Sequence, residues 1–481
     1  MTPRQKSTYL PGWLLTASLC LLALFSVSCT TGIREFFAPV AVPEKFSATG
    51  PEALADRWWL ALQDENLNEL IAESLSGNLD LRMAWDRLEQ ARATARKSGA
   101  DLLPGLDGAA EYTRQTVKTA GTGSDSSSIY FLGLAASYEI DLWGRVRAGL
   151  QAAEFDLLAT REDLQAVAIT LSAGVATVWY QLQEQRQQIK LLQEQIKING
   201  KYLDLVTSQF RNGQARATDV LQQRQILEAA RGEQINARTN EKLLEHQLAI
   251  LTGKAPGTFT PPVAPGSACL PPMPDTGLPV QLIQRRPDIR KAYYQVQAAD
   301  QRVAVAIADR FPRISLVAEA QTSDTNLSDL FDNWLANLAG NLSAPLFDGG
   351  RRAAEVDRAS GAAAEALHGY GQAVLTSLKE VEDALFAEIQ QGNFLASLDR
   401  QLALSSQSME QTRERYLYGD MDFLRFLTTI LNHQSLQRSR IRAGRQLIDY
   451  RINLYRALAG GWELAPPPMT SAQHTGFTQD K

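Results

Sequence analysis

Residues 164–210 read LQAVAITLSAGVATVWYQLQEQRQQIKLLQEQIKINGKYLDLVTSQF, and the spacing of apolar side chains in this stretch sets the fold. Every seventh residue from Leu164 is Leu171, Val178, Gln185, Leu192, Asn199 and Val206. A second register from Ala168 gives Val175, Leu182, Ile189, Ile196, Leu203 and Phe210, and only Gln185 and Asn199 break the apolar pattern. Two apolar positions per heptad is the coiled-coil period, because slight underwinding keeps one narrow seam against a partner helix. No proline occurs between Gly144 and Gly213, so one uninterrupted helix of roughly 100 Å is allowed. That exceeds a small domain several times over.

Composition narrows the function classes. At 44% hydrophobic the 481-residue chain carries ample material for a core. The net charge of -5 comes from scattered charges of both signs, without the basic patch that a nucleic-acid partner requires. His246, His368, His433 and His474, and Cys20, Cys29 and Cys269, lie far apart without CxxC or HxxxH spacing. Neither a metal site nor a disulfide framework is expected, and Cys269 in the proline-rich 261–274 segment reads as a lone thiol. No Ser/His/Asp or paired-carboxylate constellation rises above the charged helix surface, so no catalytic residues and no cofactor are assigned.

The N-terminus reads as an export address. Arg4 and Lys6 precede an apolar run from Leu14 to Val27, followed by small residues and Cys29. Residues 1–28 are the expected signal peptide. Ser26-Val27-Ser28-Cys29 resembles a bacterial lipobox, with Ser26 where leucine is usual, and Cys29 is the expected acylated first residue. After this segment no apolar run of helical-span length remains, which excludes a polytopic helical membrane protein. Any crossing must use strands.

An internal repeat organises the remainder. Asp80-Leu81-Arg82 recurs as Asp288-Ile289-Arg290, with Ala84 and Ala292, Ala91 and Ala299, Asp101 and Asp309, and Pro104 and Pro312 at the same offset. Gly144-Arg145 pairs with Gly350-Arg351, Gly213 with Gly419, and Leu221 with Leu427. Two copies, 29–254 and 278–462, flank a Pro/Gly-rich linker at 255–277, and 463–481 reads as a flexible tail.

Each copy reads helix, strand pair, long helix, return helix. In the first, a helix from about Asp80 to Leu102 stops at Pro104, and strands follow at about 104–117 and 128–141. Leu106, Gly108, Ala110 and Tyr112 alternate with Asp107, Ala109, Glu111 and Thr113. A Gly/Ser/Asp-rich stretch, Ala120 to Ser128, reads as the connecting loop. The second copy places strands at about 312–323 and 333–346, with a polar loop near Ser323 to Asp332. Each strand has about the length that crosses a bilayer when tilted, and Tyr112, Tyr130, Tyr138 and Trp334 suit interfacial girdles. Four strands cannot close a barrel, and open edges in lipid strand backbone groups, so the chain must oligomerise.

Long helices are expected at 144–212 and 350–418, with returns at 214–252 and 420–460. Leu367, Val374, Val381, Leu395, Leu402, Met409 and Tyr416 keep the sevenfold spacing, and Glu388 interrupts it. Both long helices end in a glycine turn suited to a left-handed cap. The polar middle, Gln181 to Gln188 and Gln434 to Arg445, reads as a wall with water on both sides.

The duplicated plan, Asp-Leu-Trp-Gly-Arg at 141–145, Phe-Asp-Gly-Gly-Arg at 347–351, and Arg415-Tyr416 ahead of Gly419 together resemble TolC-type outer-membrane efflux proteins, in the lipoprotein branch of the NodT and OprM kind. The resemblance implies a mostly α fold with a transmembrane β-barrel contribution. It implies a homotrimer whose twelve-stranded barrel in outer-membrane lipid continues into a twelve-helix periplasmic coiled-coil tunnel. Such a chain is the exit duct of a tripartite efflux pump in a Gram-negative bacterium, partnered by a periplasmic adaptor and an inner-membrane RND-type transporter, and not an enzyme. A type I protein-secretion duct and a heavy-metal duct are the alternatives within the class; a structural coiled-coil lipoprotein and a secreted hydrolase are the rivals outside it. Asn212, Gly213 and Gly419 are then the adaptor-docking tips. Arg415 and Tyr416 match the family's gate residues and Asp219 an acidic position on the first return helix. Thr428 stands where a second acidic residue is usual, so an Arg415 to Asp219 tie is expected, with closure completed by Tyr416 and by Asp420 or Asp422.

Overall fold

The computed structural model describes residues 35–51, 56–121, 123–262, 270–458, 462 and 464. The expected signal peptide, Cys29, Cys269 and all of the tail but Leu464 lie outside the described residues. In chain order a 3-10 turn at Trp58–Leu62 leads to helices α1 (Glu65–Gly77) and α2 (Leu79–Ala100), strands β1 (Gly105–Thr119) and β2 (Gly123–Ile140), and helices α3 (Arg145–Arg211) and α4 (Ala217–Leu251). The second half supplies α5 (Pro279–Arg285), α6 (Pro287–Ala308), β3 (Arg313–Asp324), β4 (Trp334–Ser343), α7 (Arg351–Leu417) and α8 (Phe423–Leu458). Helices α3 and α7 each run 67 residues, roughly 100 Å. Two compact units divide the chain, one drawing on Gln90–Leu158 and Tyr293–His368, the other on Ala38–Glu89, Ala159–Ala292 and the residues from Gly369 on.

Both long helices start on one device. The Asp141 carboxylate accepts the backbone N–H groups of Val146 and Arg147 at 3.1 and 2.9 Å, and Asp348 accepts those of Gly350 and Arg352 at 3.0 and 3.3 Å. Gly144 (φ 78°) and Gly350 (φ 87°) take the left-handed backbone that turns the chain from strand exit to helix. The aspartates of the two repeated motifs are therefore helix caps, filling the N–H groups that a first turn leaves unbonded.

In the first unit the strands form one antiparallel sheet in the order β1-β2-β3-β4. Register carries the alternation across all four. One row reads Leu106, Ala136, Ala318, Leu338, and the adjacent row, on the opposite face, reads Asp107, Ala135, Glu319, Asn337. The Ala120 to Ser128 stretch is not a loop: Gly123 onward is strand, and Ser124, Ser126 and Ser128 lie opposite Lys118, Thr116 and Arg114. Cross-strand hydroxyls replace apolar contacts there, Thr116 meeting Ser126 at 2.9 Å and Tyr112 meeting Ser128 at 3.3 Å. Such a hydroxyl ladder sustains pairing while leaving no apolar periodicity to read.

In the second unit α3 packs its seam as the heptads require, with Leu164, Leu171, Val175, Val178 and Leu182 buried. Beyond Leu182 the buried side of the seam is mostly polar, with Leu192 the apolar exception. Glu184, Gln188, Gln195 and Asn199 of α3 lie inside with Gln434 of α8. Asn199 and Gln434 exchange side-chain hydrogen bonds at 3.3 and 3.0 Å, and Gln195 donates to Gln437 Oε1 at 2.9 Å. Arg438 donates to Gln195 Oε1 at 2.7 Å, Gln188 donates to the Arg438 carbonyl at 2.9 Å, and Arg445 donates to Glu184 at 3.0 Å. Arg445 also holds Asp449, whose carboxyl is nonetheless pushed up to about 6, by burial first and by the neighbouring Glu184.

Near the short N-terminal helices the core is aromatic. Trp58 stacks on Tyr455 at 5.6 Å, and Trp179 donates to the Asp64 carboxylate, which also caps α1. Two buried arginines pin this region. Arg286 bonds Asp288, Glu380 and the Ala457 carbonyl, while Arg451 forks onto Glu388 and donates to the carbonyls of Pro271 and Pro272 at 2.7 and 2.8 Å. Glu388, the interruption in the α7 heptads, thus has a dedicated partner, and the two side chains are 5% and 3% exposed. Removing one member leaves a bare buried charge, so Arg451→Met should cost about 3–5 kcal/mol in denaturant unfolding of the purified protein. Arg451→Met combined with Glu388→Leu should lose distinctly less; equal losses would show that the pair does not interact.

Candidate functional site

Two regions bear on function: the turns that end the long helices, and the apolar face of the sheet. Each turn is built by its glycine. Gly213 (φ 73°) and Gly419 (φ 79°) are left-handed, with Gln214 N–H bonding back to Gln209 O at 2.8 Å and Asp420 N–H to Arg415 O at 2.9 Å. This is the Schellman closure, in which the residue after the glycine satisfies a carbonyl of the last helical turn. Nothing lies within 4 Å of where a side chain on either glycine would start. Asn212, Gly213 and Gly419 are exposed, as is Tyr418.

Beneath the turns sits an apolar cluster of Val206, Val220, Tyr416, Phe423, Phe426, Leu427 and Ile430. Tyr416 is at its centre, 7% exposed, stacked on Phe426 at 4.9 Å and tilted on Phe423 at 5.6 Å. Its hydroxyl donates to Gln209 Oε1 on α3, so one side chain joins the second turn to the first long helix. Gln209, Phe423 and Phe426 were not among the residues read from the sequence. The spacing of Phe423, Phe426 and Ile430 down one face of α8 was the available signal.

The charged residues are committed locally. Arg415 meets Asp420 of its own turn at 3.2 Å, with both side chains exposed. Asp422 caps α8 by accepting the Arg425 N–H at 2.9 Å, and Asp219 accepts the Arg216 N–H at 2.9 Å at the start of α4. The Thr428 hydroxyl bonds back to the Leu424 carbonyl. The expected Arg415 to Asp219 tie is therefore not made within the protomer: the Schellman turn delivers Asp420 to Arg415, and Asp219 is held by unbonded N–H groups at a helix start. Asp219 still acts on the cluster, because its charge bears on Tyr416.

Burial, then the Asp219 charge, push the Tyr416 phenol up to about 12. Since a free tyrosine ionises near 10, this contribution to stability is complete below about pH 10 and is lost as pH rises through about 12. Tyr416→Phe should flatten that alkaline loss in thermal unfolding followed between about pH 9 and 12. Identical alkaline profiles for the two proteins would contradict the assignment.

On the sheet, the even-numbered face from Leu106 across Leu132, Leu134, Leu316 and Leu338 is apolar and bare. Leu338 is 78% and Trp334 75% exposed on the isolated chain. The opposite face carries Asp107, Glu111, Glu319 and Asn337. Among the described residues no helix is long and apolar enough to cross a membrane, and no three His, Cys, Asp or Glu gather as a metal site.

The family model described as outer membrane efflux protein matches residues 70–254 and 278–460. The pyoverdine export outer membrane protein OpmQ of Pseudomonas aeruginosa is 32% identical over 467 residues, covering 93% of this chain and 97% of the relative. Outer membrane protein OprJ of the same organism is 30% identical, covering 94% and 97%. The solved structure of the outer-membrane channel OprN superposes with a TM-score of 0.81 at 29% identity, covering 90% of this chain and all of that one.

Proposed function

The chain belongs to the outer membrane efflux protein family and is an outer-membrane efflux channel of a Gram-negative bacterium, and from that premise we propose how it is assembled and driven. Its family is one of channels, and the fold is the helical tunnel with a β-barrel contribution found in its structural neighbours. The observation that carries the proposal is the four-stranded sheet, with one continuous apolar face and two unpaired edges.

Three copies supply twelve strands, enough to close a barrel; a single four-stranded sheet is below the smallest known closed barrels, of about eight strands. The homotrimer places the even-numbered face in lipid and the face with Asp107, Glu111 and Glu319 around water. A periplasmic adaptor and an inner-membrane RND-type transporter deliver small compounds into it. OpmQ is a pyoverdine export protein, which supports a small-molecule cargo over protein secretion.

The adaptor docks on the tips at Asn212, Gly213 and Gly419. Asp219, Arg415, Tyr416, Asp420 and Asp422 form the periplasmic gate, the exposed Arg415–Asp420 pair being the part that a partner exchanges at small net cost. Open space around both glycines permits a direct test. Gly213→Trp and Gly419→Trp should abolish efflux while heat-modifiable trimers persist in the membrane fraction. Gly213→Asn and Gly419→Asn should retain most of it, since asparagine tolerates the left-handed backbone. Unchanged efflux in the tryptophan variants would exclude docking at the tips.

Cys29 carries the lipid anchor, as its position after small residues at the end of an apolar run supports. Mass spectrometry of the mature N-terminus should find a diacylglyceryl, N-acylated Cys29. An unmodified Cys29, or cleavage elsewhere, would overturn the anchor without touching the barrel.

A further inference from the structure

Past the row of Tyr112 and Tyr130, β1 and β2 leave the rest of the sheet behind. β2 pairs with β3 only from Tyr130 onward, opposite Asp324, whereas its pairing with β1 continues to Gly123. These last rows are a two-stranded ribbon, and alternation assigns its side chains to faces. The even-numbered face, followed from Leu106 through Tyr112, continues as Arg114, Thr116 and Lys118 on β1, opposite Ser128, Ser126 and Ser124 on β2. It carries two cations and four hydroxyls without a carboxylate, since Asp125, opposite Val117, falls on the other face. Arg114 and Lys118 are exposed, and among the described residues neither meets an acid. Asp324, in the tyrosine row of the same face, is committed to its own loop, where it accepts the Asn326 N–H at 3.0 Å.

The tyrosines fix the depth of these cations. Tyr112 and Tyr130 pack at 4.9 Å, and the Tyr112 hydroxyl lies 3.3 Å from that of Ser128, so its polar end points toward the ribbon. On β2 the stretch from Tyr130 to Tyr138 is about the 9–11 residues that cross the hydrocarbon at a tilt, with an aromatic at each limit. Beyond Tyr138 the chain runs into α3, which places the ribbon at the outer end of the sheet. At roughly 3.3 Å per residue and a tilt of about 45°, Arg114 stands about 5 Å and Lys118 about 14 Å past the tyrosine row. The interfacial zone of one leaflet is only about 5–8 Å deep. Arg114 is therefore level with a headgroup phosphate, while Lys118 lies above any simple phospholipid. A lipid that reaches both has anionic groups on a hydrated sugar chain as well as at the membrane surface.

We infer that the even-numbered face of the β1–β2 ribbon is a docking site for the phosphorylated glycolipid of the outer leaflet, with Arg114 on the phosphate at the membrane surface and Lys118 on an anionic group farther up the sugar chain. This rests on the reading that puts the even-numbered face in lipid. A guanidinium grips phosphate through its bidentate fork and an ammonium acts on it as a point charge, so both positions suit their ligands. The hydroxyls between them offer donors and acceptors to sugar hydroxyls.

The test titrates full-length trimers in detergent with lipopolysaccharide bearing a phosphorylated inner core, with lipid A alone, with phosphatidylglycerol and with inorganic phosphate, counting bound molecules by native mass spectrometry. Arg114→Gln with Lys118→Gln should weaken lipopolysaccharide binding at least about tenfold, as the loss of charge-assisted bonds to phosphate requires. Lys118→Gln alone should weaken lipopolysaccharide but leave lipid A within about twofold of the wild type, because lipid A does not reach that height. Arg114→Lys with Lys118→Arg should keep lipopolysaccharide within about threefold. Equal affinity of the wild type and the double glutamine variant would overturn the site, as would phosphatidylglycerol or inorganic phosphate bound as tightly as lipopolysaccharide. Arg114→Gln with Gln115→Arg moves the guanidinium to the opposite face and should bind no better than Arg114→Gln. Binding at the wild-type level in that variant would show the odd-numbered face to be the outer one, so that the placement of the sheet in lipid fails and this site with it.

Discussion

Hydrocarbon offers no hydrogen bonds, so every backbone N–H and C=O of a strand in lipid must be bonded to another strand. In this chain β2 and β3 meet that condition on both sides, while β1 and β4 meet it on one. Each unbonded group on the free edges costs several kcal/mol in lipid. The bare leucines of the even-numbered face suit lipid, whereas the acidic residues of the opposite face do not. The remaining outlet is closure with further copies, with leucines outward and carboxylates inward, and the family to which the chain belongs supplies such channels.

Strand length follows the same constraint. A tilted strand needs about 9–11 residues to cross the hydrocarbon, and β2 has 18. The surplus lies at the Gly123 to Ser128 end, where serines and threonines continue the ladder by hydroxyl contacts. That is why periodicity shows where the hydrocarbon-spanning strand lies but not how far pairing runs: alternation of apolar and polar residues records contact with lipid, whereas a strand with water on both sides has nothing to alternate. The long helices were legible for the converse reason. Their seams face other helices along most of their length, and Leu164 through Leu182 record that contact at every turn.

At the turns the sequence conveyed positions better than partners. Gly213 and Gly419 were readable because only a residue free of a Cβ adopts φ near +75° without strain. Arg415, Tyr416 and Asp219 were recognisable by their order, yet a motif assigns a partner across elements, whereas the structure decides by proximity. Asp420 is five residues from Arg415 and is brought to it by the turn itself, at little further cost in chain entropy. Tyr416, recognisable by its order alone, is in addition the buried centre of the cluster under the turns, which no motif announces. Arg451 was not legible at all, since its partner Glu388 looked like a flaw in the heptads until the two were seen to meet.

The buried polar groups of the helical unit divide by how easily they find substitutes. Arg286 and Arg451 each satisfy carboxylates and chain carbonyls together, from a guanidinium whose planar fork fits one arrangement. Displacing Arg451 strands two charges in the interior, and displacing Arg286 strands its own, so these contacts hold the linker end and the α7–α8 pair rigidly. The amides Gln188 and Gln195 of the α3–α8 seam carry no charge and donate to backbone carbonyls of α8. The chain separates the two kinds of contact along its helices: guanidinium clamps beside the short N-terminal helices, and amides between those clamps and the turns that end the long helices.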